Sequence, residues 1–133
     1  MKTTCVKVLV VSALVFLFSI PVCWAKEKGY CYLVSYSLRD KLAFFTPVFT
    51  ATVSGAVYSE EEFVADVELI REIENQFQRH LTKMGLSTMD FITEARVAYR
   101  TQAIAQQRLS KEKSSFEGRG YTIKKPGSFK YDD

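Results

Sequence analysis

The chain has 133 residues, of which 47% are hydrophobic and 14% aromatic, and its formal net charge is +3. This length gives room for one domain. The small charge argues against a nucleic acid as partner.

The first 25 residues have the pattern of a secretory signal peptide. Lys2 and Lys7 form a positive start, residues 8–20 are apolar and uncharged, and Ala25 ends a small-residue cleavage site. The pattern predicts export of a mature chain that begins at Lys26. An uncleaved membrane anchor is the open alternative, since residues 6–25 just reach a membrane-spanning length.

Export also bears on the cysteines. A lipid anchor on Cys23 is disfavoured because the bulky Val22 precedes it. Cleavage removes Cys5 and Cys23, so Cys31 is the single thiol of the mature chain and no internal disulfide can form. Cys31 is predicted to be a small buried strand residue; an intermolecular bridge is the alternative.

A β-hairpin is predicted after the leader. Residues 30–38 alternate and are rich in aromatic and β-branched side chains, residues 39–41 form a polar turn, and residues 42–53 form the second strand. Pro47 interrupts this second strand, because proline cannot donate to a ladder. One face of the hairpin is expected to be core.

Residues 59–85 predict a long amphipathic helix. Ser59 and Glu62 have capping-box spacing, an apolar stripe runs from Phe63 to Met84, and Gly85 supplies the stop. This stripe is predicted to pack across one face of the hairpin.

Residues 89–109 are rich in Ala, Gln and Arg and predict a second helix, although parts of residues 91–99 would also suit a strand. The fold class is therefore α+β, an antiparallel β-hairpin or small three-stranded sheet packed against two antiparallel helices on one face. The domain is assigned to residues 26–113. The tail, residues 114–133, is predicted to hold a possible short strand near Thr122 and to be pinned by its aromatic residues or disordered.

Groups for catalysis are few. His80 is the only histidine, and its place near a helix end suggests an interaction with that terminus. The mature sequence has no metal-ligand set, phosphate loop or nucleophile motif. We predict a non-catalytic protein without cofactor or metal; an apolar cleft holding His80 beside an acid would argue for an enzyme.

Charge is unevenly distributed. Residues 59–84 carry seven acids and three bases, whereas residues 85–131 carry nine bases and four acids. Arg96 and Arg100 are four residues apart and Arg108 follows, so the predicted helix presents them on one face. Salt bridges to the acids of the first helix are one explanation, and a patch for an anion or a partner is the other.

The aromatic content exceeds what one covered face can bury, which leaves apolar surface for a partner. We predict a small exported protein-binding module of the kind represented by inhibitors or immunity-type partners of a secreted enzyme or toxin. The alternative is an envelope-associated assembly factor, touching membrane or glycan through its basic tail or an uncleaved signal. The predicted partner-binding residues lie on the outer hairpin face, the acidic helix and the arginine row: Tyr32, Phe44, Phe49, Glu61, Glu68, Glu72, Arg96 and Arg100.

Overall fold

A computed structural model describes residues 25–133, so the predicted signal peptide lies outside the described residues except for Ala25. The α+β class is confirmed. The elements, in chain order, are the strands and helices β1 Glu27–Ser37, β2 Leu42–Phe45, β3 Phe49–Val53, α1 Val67–Lys83, β4 Ile92–Tyr99, α2 Gln102–Gly118 and β5 Thr122–Lys124. Neither helix of this described part is long and apolar enough to span a bilayer.

The predicted antiparallel hairpin is confirmed, including its interruption at Pro47. One edge of β1 pairs with β2 and then with β3, and the three residues 46–48 lie opposite only two residues of β1. Thr46 satisfies the backbone at this bulge: its N–H donates to the Leu33 carbonyl at 3.0 Å, and its hydroxyl accepts from the Leu33 N–H at 2.9 Å. The broken second strand therefore stays on one long partner.

The sheet is larger than predicted. The other edge of β1 pairs antiparallel with β4, while β5 adds parallel to β2. The result is a five-stranded mixed sheet with β1 inside it. Gly29 lies where β1 and β4 approach most closely, since an added Cβ would be 2.5 Å from the Cβ of Ala98.

The first helix begins eight residues later than predicted. Ser59 does accept from the Glu62 N–H at 3.1 Å, but the Glu62 carbonyl accepts from the Tyr58 and Ser59 amides, which closes a tight turn instead of a helix. Asp66 is the actual N-cap and accepts from the Leu69 N–H at 2.7 Å. The predicted end is confirmed, because α1 stops at Lys83 and Gly85 has a φ of +86°.

The predicted second helix, residues 89–109, is wrong over its first half. Residues 92–99 form strand β4, and helix α2 starts only at Gln102 behind the N-cap Thr101. The α2 helix then runs to Gly118, across the boundary at residue 113 where the tail was expected to begin. The short strand expected near Thr122 is present as β5.

The two helices lie on opposite faces of the sheet, which corrects the prediction of two helices on one face. The α1 face buries Cys31, Leu33, Phe44, Ala51, Val53, Ile73, Phe77, Leu81 and Ala98. The α2 face buries Tyr32, Val34, Ala43, Phe45, Tyr99, Ala105, Leu109, Phe116 and Tyr121. The predicted alternation along β1 is confirmed, but both of its faces are core.

The tail is part of the fold. Phe129 packs edge-on against Phe77, with ring centroids 5.1 Å apart, and also against Phe49. The Asp133 carboxylate accepts from the Thr52 N–H at 2.8 Å at the outer edge of β3. Phe116 is buried inside α2, so the predicted pinning of the tail by its aromatic residues is confirmed.

Candidate functional site

One end of the sheet carries the loop between β3 and α1, residues 54–66, called here the acidic loop. Its backbone is tied to the end of β4: the Phe63 N–H donates to the Ala98 carbonyl at 2.9 Å, and the Arg100 N–H donates to the Glu61 carbonyl at 2.8 Å. The loop closes on itself through the Val64 N–H and the Ala56 carbonyl, 2.7 Å apart. These contacts hold the loop in one conformation on the sheet.

The acidic loop and the start of α1 expose apolar side chains. Val57 is 46% exposed, Tyr58 75%, Val64 43% and Val67 66%, and these are half of the eight large hydrophobic side chains exposed in the described chain. Along the sequence they alternate with Glu60, Glu61, Glu62, Asp66 and Glu68, and no base lies between residues 54 and 70. Two bases from outside this segment contact it, since Arg108 pairs with Glu61 and Arg100 donates to the Glu60 carbonyl.

A cavity of about 650 Å³ adjoins this surface between the acidic loop and the junction of β4 and α2. Its walls include Val57 and Phe63, and the Arg100 guanidinium lies 5.6 Å from the centre of the Phe63 ring. Arg100 also donates to the Glu60 carbonyl at 3.4 Å. Neither histidine nor cysteine is among its described lining residues, so the cavity is suited to binding and offers no such nucleophile or base.

A cluster of polar side chains, Tyr32, Glu94, Arg96 and Glu112, joins α2 to the sheet on the other side of β4. The Tyr32 hydroxyl donates to Glu112 Oε1 at 2.8 Å. The Arg96 guanidinium donates to both oxygens of Glu112, at 2.9–3.2 Å, and to Glu94 Oε2 at 2.8 Å. We call these four residues the polar cluster.

Electrostatics in the polar cluster fix its protonation. Burial and the hydrogen bond to Glu112 raise the pKa of Tyr32, so its hydroxyl stays protonated. Burial alone would lower the pKa of Arg96, but the hydrogen bonds and charges of Glu112 and Glu94 raise it overall. Because Arg96 and Tyr32 together occupy both oxygens of Glu112, this carboxylate serves as the acceptor that joins α2 to the sheet.

The chain matches no protein-family model, no curated protein and no solved structure.

The aromatic residues predicted to bind a partner lie in the core. Tyr32 is 2% exposed beneath α2 and Phe44 is 4% exposed beneath α1. Phe49 is half-buried and its ring is tilted against Tyr131 of the tail. The three residues therefore lie on two faces of the sheet, and neither face is open, because α2 covers Tyr32 while α1 and the tail cover Phe44 and Phe49.

The charged residues predicted to bind a partner are spread over the surface. Glu61 lies in the acidic loop and pairs with Arg108 of α2, which matches the predicted salt bridge to an acid of the 59–85 segment. Arg96 and Arg100 do not share a helix face, since the first is in β4 and the second follows it. Glu68 and Glu72 are exposed on α1, where Glu72 pairs with Arg79 at 3.5 Å.

Four residues of the surface and of the polar cluster were missed from the sequence. Tyr58, Val64 and Val67 were not selected, because Val67 was placed in the buried stripe and Tyr58 in a connection. Glu112 sits between two lysines, a pattern typical of a solvated segment, so nothing in the sequence marks it as part of a cluster. A signal for Tyr58 exists in retrospect: an apolar pair, Val57 and Tyr58, directly precedes three consecutive glutamates.

The remaining candidates have structural surroundings. His80 Nε2 lies 2.5 Å from the Pro126 carbonyl, and its ring stacks on Phe77 and meets Phe129 edge-on. Cys31 is fully buried, and burial raises its pKa to about 12, which favours the unreactive thiol.

Proposed function

We propose that the mature chain is a small exported, non-catalytic protein-binding module whose partner surface is the acidic loop together with the first turn of α1. The observation that carries the proposal is the concentration of exposed apolar side chains at residues 57–67 among five carboxylates. A monomeric protein rarely leaves such a group uncovered, and contiguous apolar surface with a polar rim is typical of interaction sites.

Tyr58 is the proposed anchor of this surface. It is the most exposed of the four apolar residues, and tyrosine is enriched among residues that dominate binding energy. The loop that presents it is held by backbone hydrogen bonds to β4, so little ordering would be needed on binding.

The acidic residues define the partner's chemistry. Glu61 is already paired with Arg108, but Glu60, Glu62, Asp66 and Glu68 form no ion pair with any described residue. These four carboxylates complement a basic protein surface and would accelerate encounter with it. A basic cleft of a secreted enzyme or toxin is such a surface, so an inhibitor or immunity-type role fits this proposal. The proposal moves the partner site from the outer hairpin face, which α2 covers, to the loop.

The test is differential capture by the mature chain, residues 26–133, from the extracellular and envelope fractions of the source cells. We expect one protein to be retained by the wild type and by the controls Met89→Ala and Glu117→Lys. The same protein should be lost with Tyr58→Ala and weakened at least about tenfold with Glu60→Lys. Met89 and Glu117 are exposed outside the acidic loop. Met89→Ala is therefore the control for removing an exposed apolar side chain, and Glu117→Lys is the control for reversing a charge.

Two results would contradict the proposal. One is capture that is equal for all four variants. The other is binding to anionic lipid vesicles that salt reverses, with no protein partner, which would favour an envelope-associated factor. Export is tested separately by the mass of the secreted product, which should correspond to a chain starting at Lys26.

A further inference from the structure

Residues 127–133, called here the strap, run along the outer edge of β3 without joining the sheet. The strap follows Pro126, which is fully buried and whose carbonyl lies 2.5 Å from His80 Nε2. Its first residue, Gly127, has a φ of +73°, a left-handed conformation that glycine adopts readily. The strap forms no backbone–backbone hydrogen bond to any other part of residues 25–133. Every hydrogen bond that attaches it to the body of the fold therefore involves a side chain.

Alternate side chains of the strap enter a groove between β3 and α1. The Phe129 ring meets the rings of Phe49 and Phe77, with centroids 5.9 and 5.1 Å away. The Tyr131 ring lies against Phe49 at 5.7 Å, whereas Lys130 between the two aromatic residues is exposed. This period of two is typical of an extended segment whose alternate side chains fill pockets.

Two polar residues of the groove bind the last residues of the strap. The Gln76 side-chain amide donates to the Asp132 carbonyl at 2.9 Å and accepts from the Asp132 N–H at 3.0 Å. These two hydrogen bonds recognise peptide backbone whatever side chain it carries. The Thr52 N–H donates to Asp133 Oδ2 at 2.8 Å, so the groove also binds a carboxylate four residues after the first aromatic ring.

The outer edge of β3 has hydrogen-bonding capacity that the strap does not use. Within the described chain β3 pairs only with β1. Because the backbone groups of a strand alternate between its two edges, Thr50 faces the same outer edge as the Thr52 N–H. No described backbone group pairs with Thr50 there. A peptide that adds to this edge as a strand gains ladder hydrogen bonds that the strap lacks, and it can therefore displace the strap.

We propose that the groove between β3 and α1 is a docking site for an extended peptide of a partner protein, and that the strap occupies it in the free chain as an autoinhibitory segment. The peptide has the chemistry of the strap itself: two aromatic side chains two residues apart, followed by a carboxylate. It adds to β3 as a strand. The groove residues Phe49, Thr52 and Gln76 lie outside the acidic loop, so this docking site is separate from the surface proposed above.

The experiment is a fluorescence anisotropy titration of the peptide GSFKYDD, the sequence of the strap, labelled with fluorescein at its amino terminus. The proteins are the full mature chain and its double variant Phe129→Ala/Tyr131→Ala, whose strap has lost both rings. We expect saturable binding to the variant. Binding to the wild type should be at least about tenfold weaker, because its own strap competes at a high effective concentration. Hydrogen exchange at the Thr50 amide should slow when the peptide binds.

Further substitutions in the double variant test the groove. Gln76→Ala should weaken binding about tenfold through the loss of two hydrogen bonds, whereas Asn75→Ala, which removes an exposed amide from the same helix, should not. Phe129→Ala alone is the milder variant, and circular dichroism shows which variants are folded. The proposal is overturned if no folded variant binds the peptide, if the wild type binds it as tightly, if Gln76→Ala has no larger effect than Asn75→Ala, or if saturating peptide leaves exchange at Thr50 unchanged.

Discussion

Replacing Glu112 by alanine is expected to loosen α2 from the sheet. In the folded chain this carboxylate accepts from the buried Tyr32 hydroxyl and from the Arg96 guanidinium. The substitution removes both contacts and leaves the Tyr32 hydroxyl beneath α2 without the carboxylate to which it donates. Arg96 keeps its second partner, Glu94, at 2.8 Å.

The size of the expected destabilisation follows from the partial burial of the Arg96–Glu112 ion pair. The side chains of Arg96 and Glu112 are 34% and 19% exposed, so the pair lies between an exposed ion pair, worth about 0–1 kcal/mol, and a buried one, whose disruption costs about 3–5 kcal/mol. An unpaired buried hydroxyl adds about 1–3 kcal/mol. The loss is smaller than the sum of these two costs because Arg96 keeps its contact with Glu94. We therefore expect Glu112→Ala to reduce the free energy of unfolding by about 2–4 kcal/mol.

Urea unfolding of the mature chain, followed by circular dichroism, measures this loss. Glu112→Gln keeps an acceptor for Tyr32 and should cost less than half as much. Glu117→Ala is the matched control, since it removes an exposed carboxylate from the same helix. The reasoning is refuted if Glu112→Ala is no more destabilising than Glu117→Ala, or if a double-mutant cycle with Arg96→Met shows no coupling between Arg96 and Glu112.

Four further outcomes are expected. The pKa of Tyr32 is raised by burial above its ordinary value of 10.0, so the contribution of its protonated hydroxyl to stability is complete below pH 10 and is lost as the pH rises above that value. The decline of the unfolding free energy with pH should therefore be shallower in Tyr32→Phe, and an equal slope in the two proteins would contradict this prediction. Cys31 should react with iodoacetamide only at the rate of unfolding, and non-reducing mass spectrometry should show a monomer, because the thiol is fully buried. Gly29→Ala should cost about 1–3 kcal/mol by urea unfolding because of overpacking against Ala98, and adding Ala98→Gly should restore part of the loss. Phe129→Ala should cost about 1–2 kcal/mol and speed hydrogen exchange in the tail; unchanged exchange would show that the ring does not hold it.

The hairpin was predictable because its determinants are local. The sequence correctly predicts the alternation in β1, the polar turn and the interruption at Pro47. The turn places β2 beside β1. The end of α1 was predictable for the same reason, since Gly85 supplies a left-handed conformation that few other residues adopt.

The start of α1 was mispredicted because one sequence pattern serves two structures. A serine three residues before a glutamate is typical of a helix start, but Ser59 and Glu62 form the same hydrogen bond in an isolated turn. The helix begins at Asp66 instead, another good N-cap. Choosing between them requires knowing that residues 61–63 are held against the end of β4.

Strand β4 was missed because its conformation is set by its neighbours. Its sequence contains Ala, Glu and Arg, which favour helices in isolation. In the fold, Ala95 and Val97 pack on the α1 face while Arg96 reaches Glu112 on the other face. Residues 92–99 form a strand because they pair with the edge of β1 that β2 and β3 leave open. Strand propensity depends strongly on such context.

The candidate site depends on that missed strand. Strands β2 and β4 both run antiparallel to β1, and β5 is parallel to β2, so β3, β4 and β5 run in the same direction. The chain crosses over β1 through α1 to reach β4, and then crosses back over β1 and β2 through α2 to reach β5. Crossovers of this kind are almost always right-handed, and two right-handed crossovers in opposite directions place their helices on opposite faces.

Once residues 92–99 are assigned as a strand, the two-sided packing therefore follows from the handedness of the connections. It also follows that neither face of the hairpin remains open for a partner. The acidic loop occupies the end of the sheet where β3 and β4 both finish, and it and the first turn of α1 carry four of the eight exposed large hydrophobic side chains of the described chain. The other four, Leu38, Met84, Met89 and Ile92, lie outside it. In open sheets with parallel strands, ligands bind at the carboxyl ends of the strands where the direction of winding reverses. This chain reverses at β4, so its topology favours the end of the sheet that carries the acidic loop as the place of the proposed site.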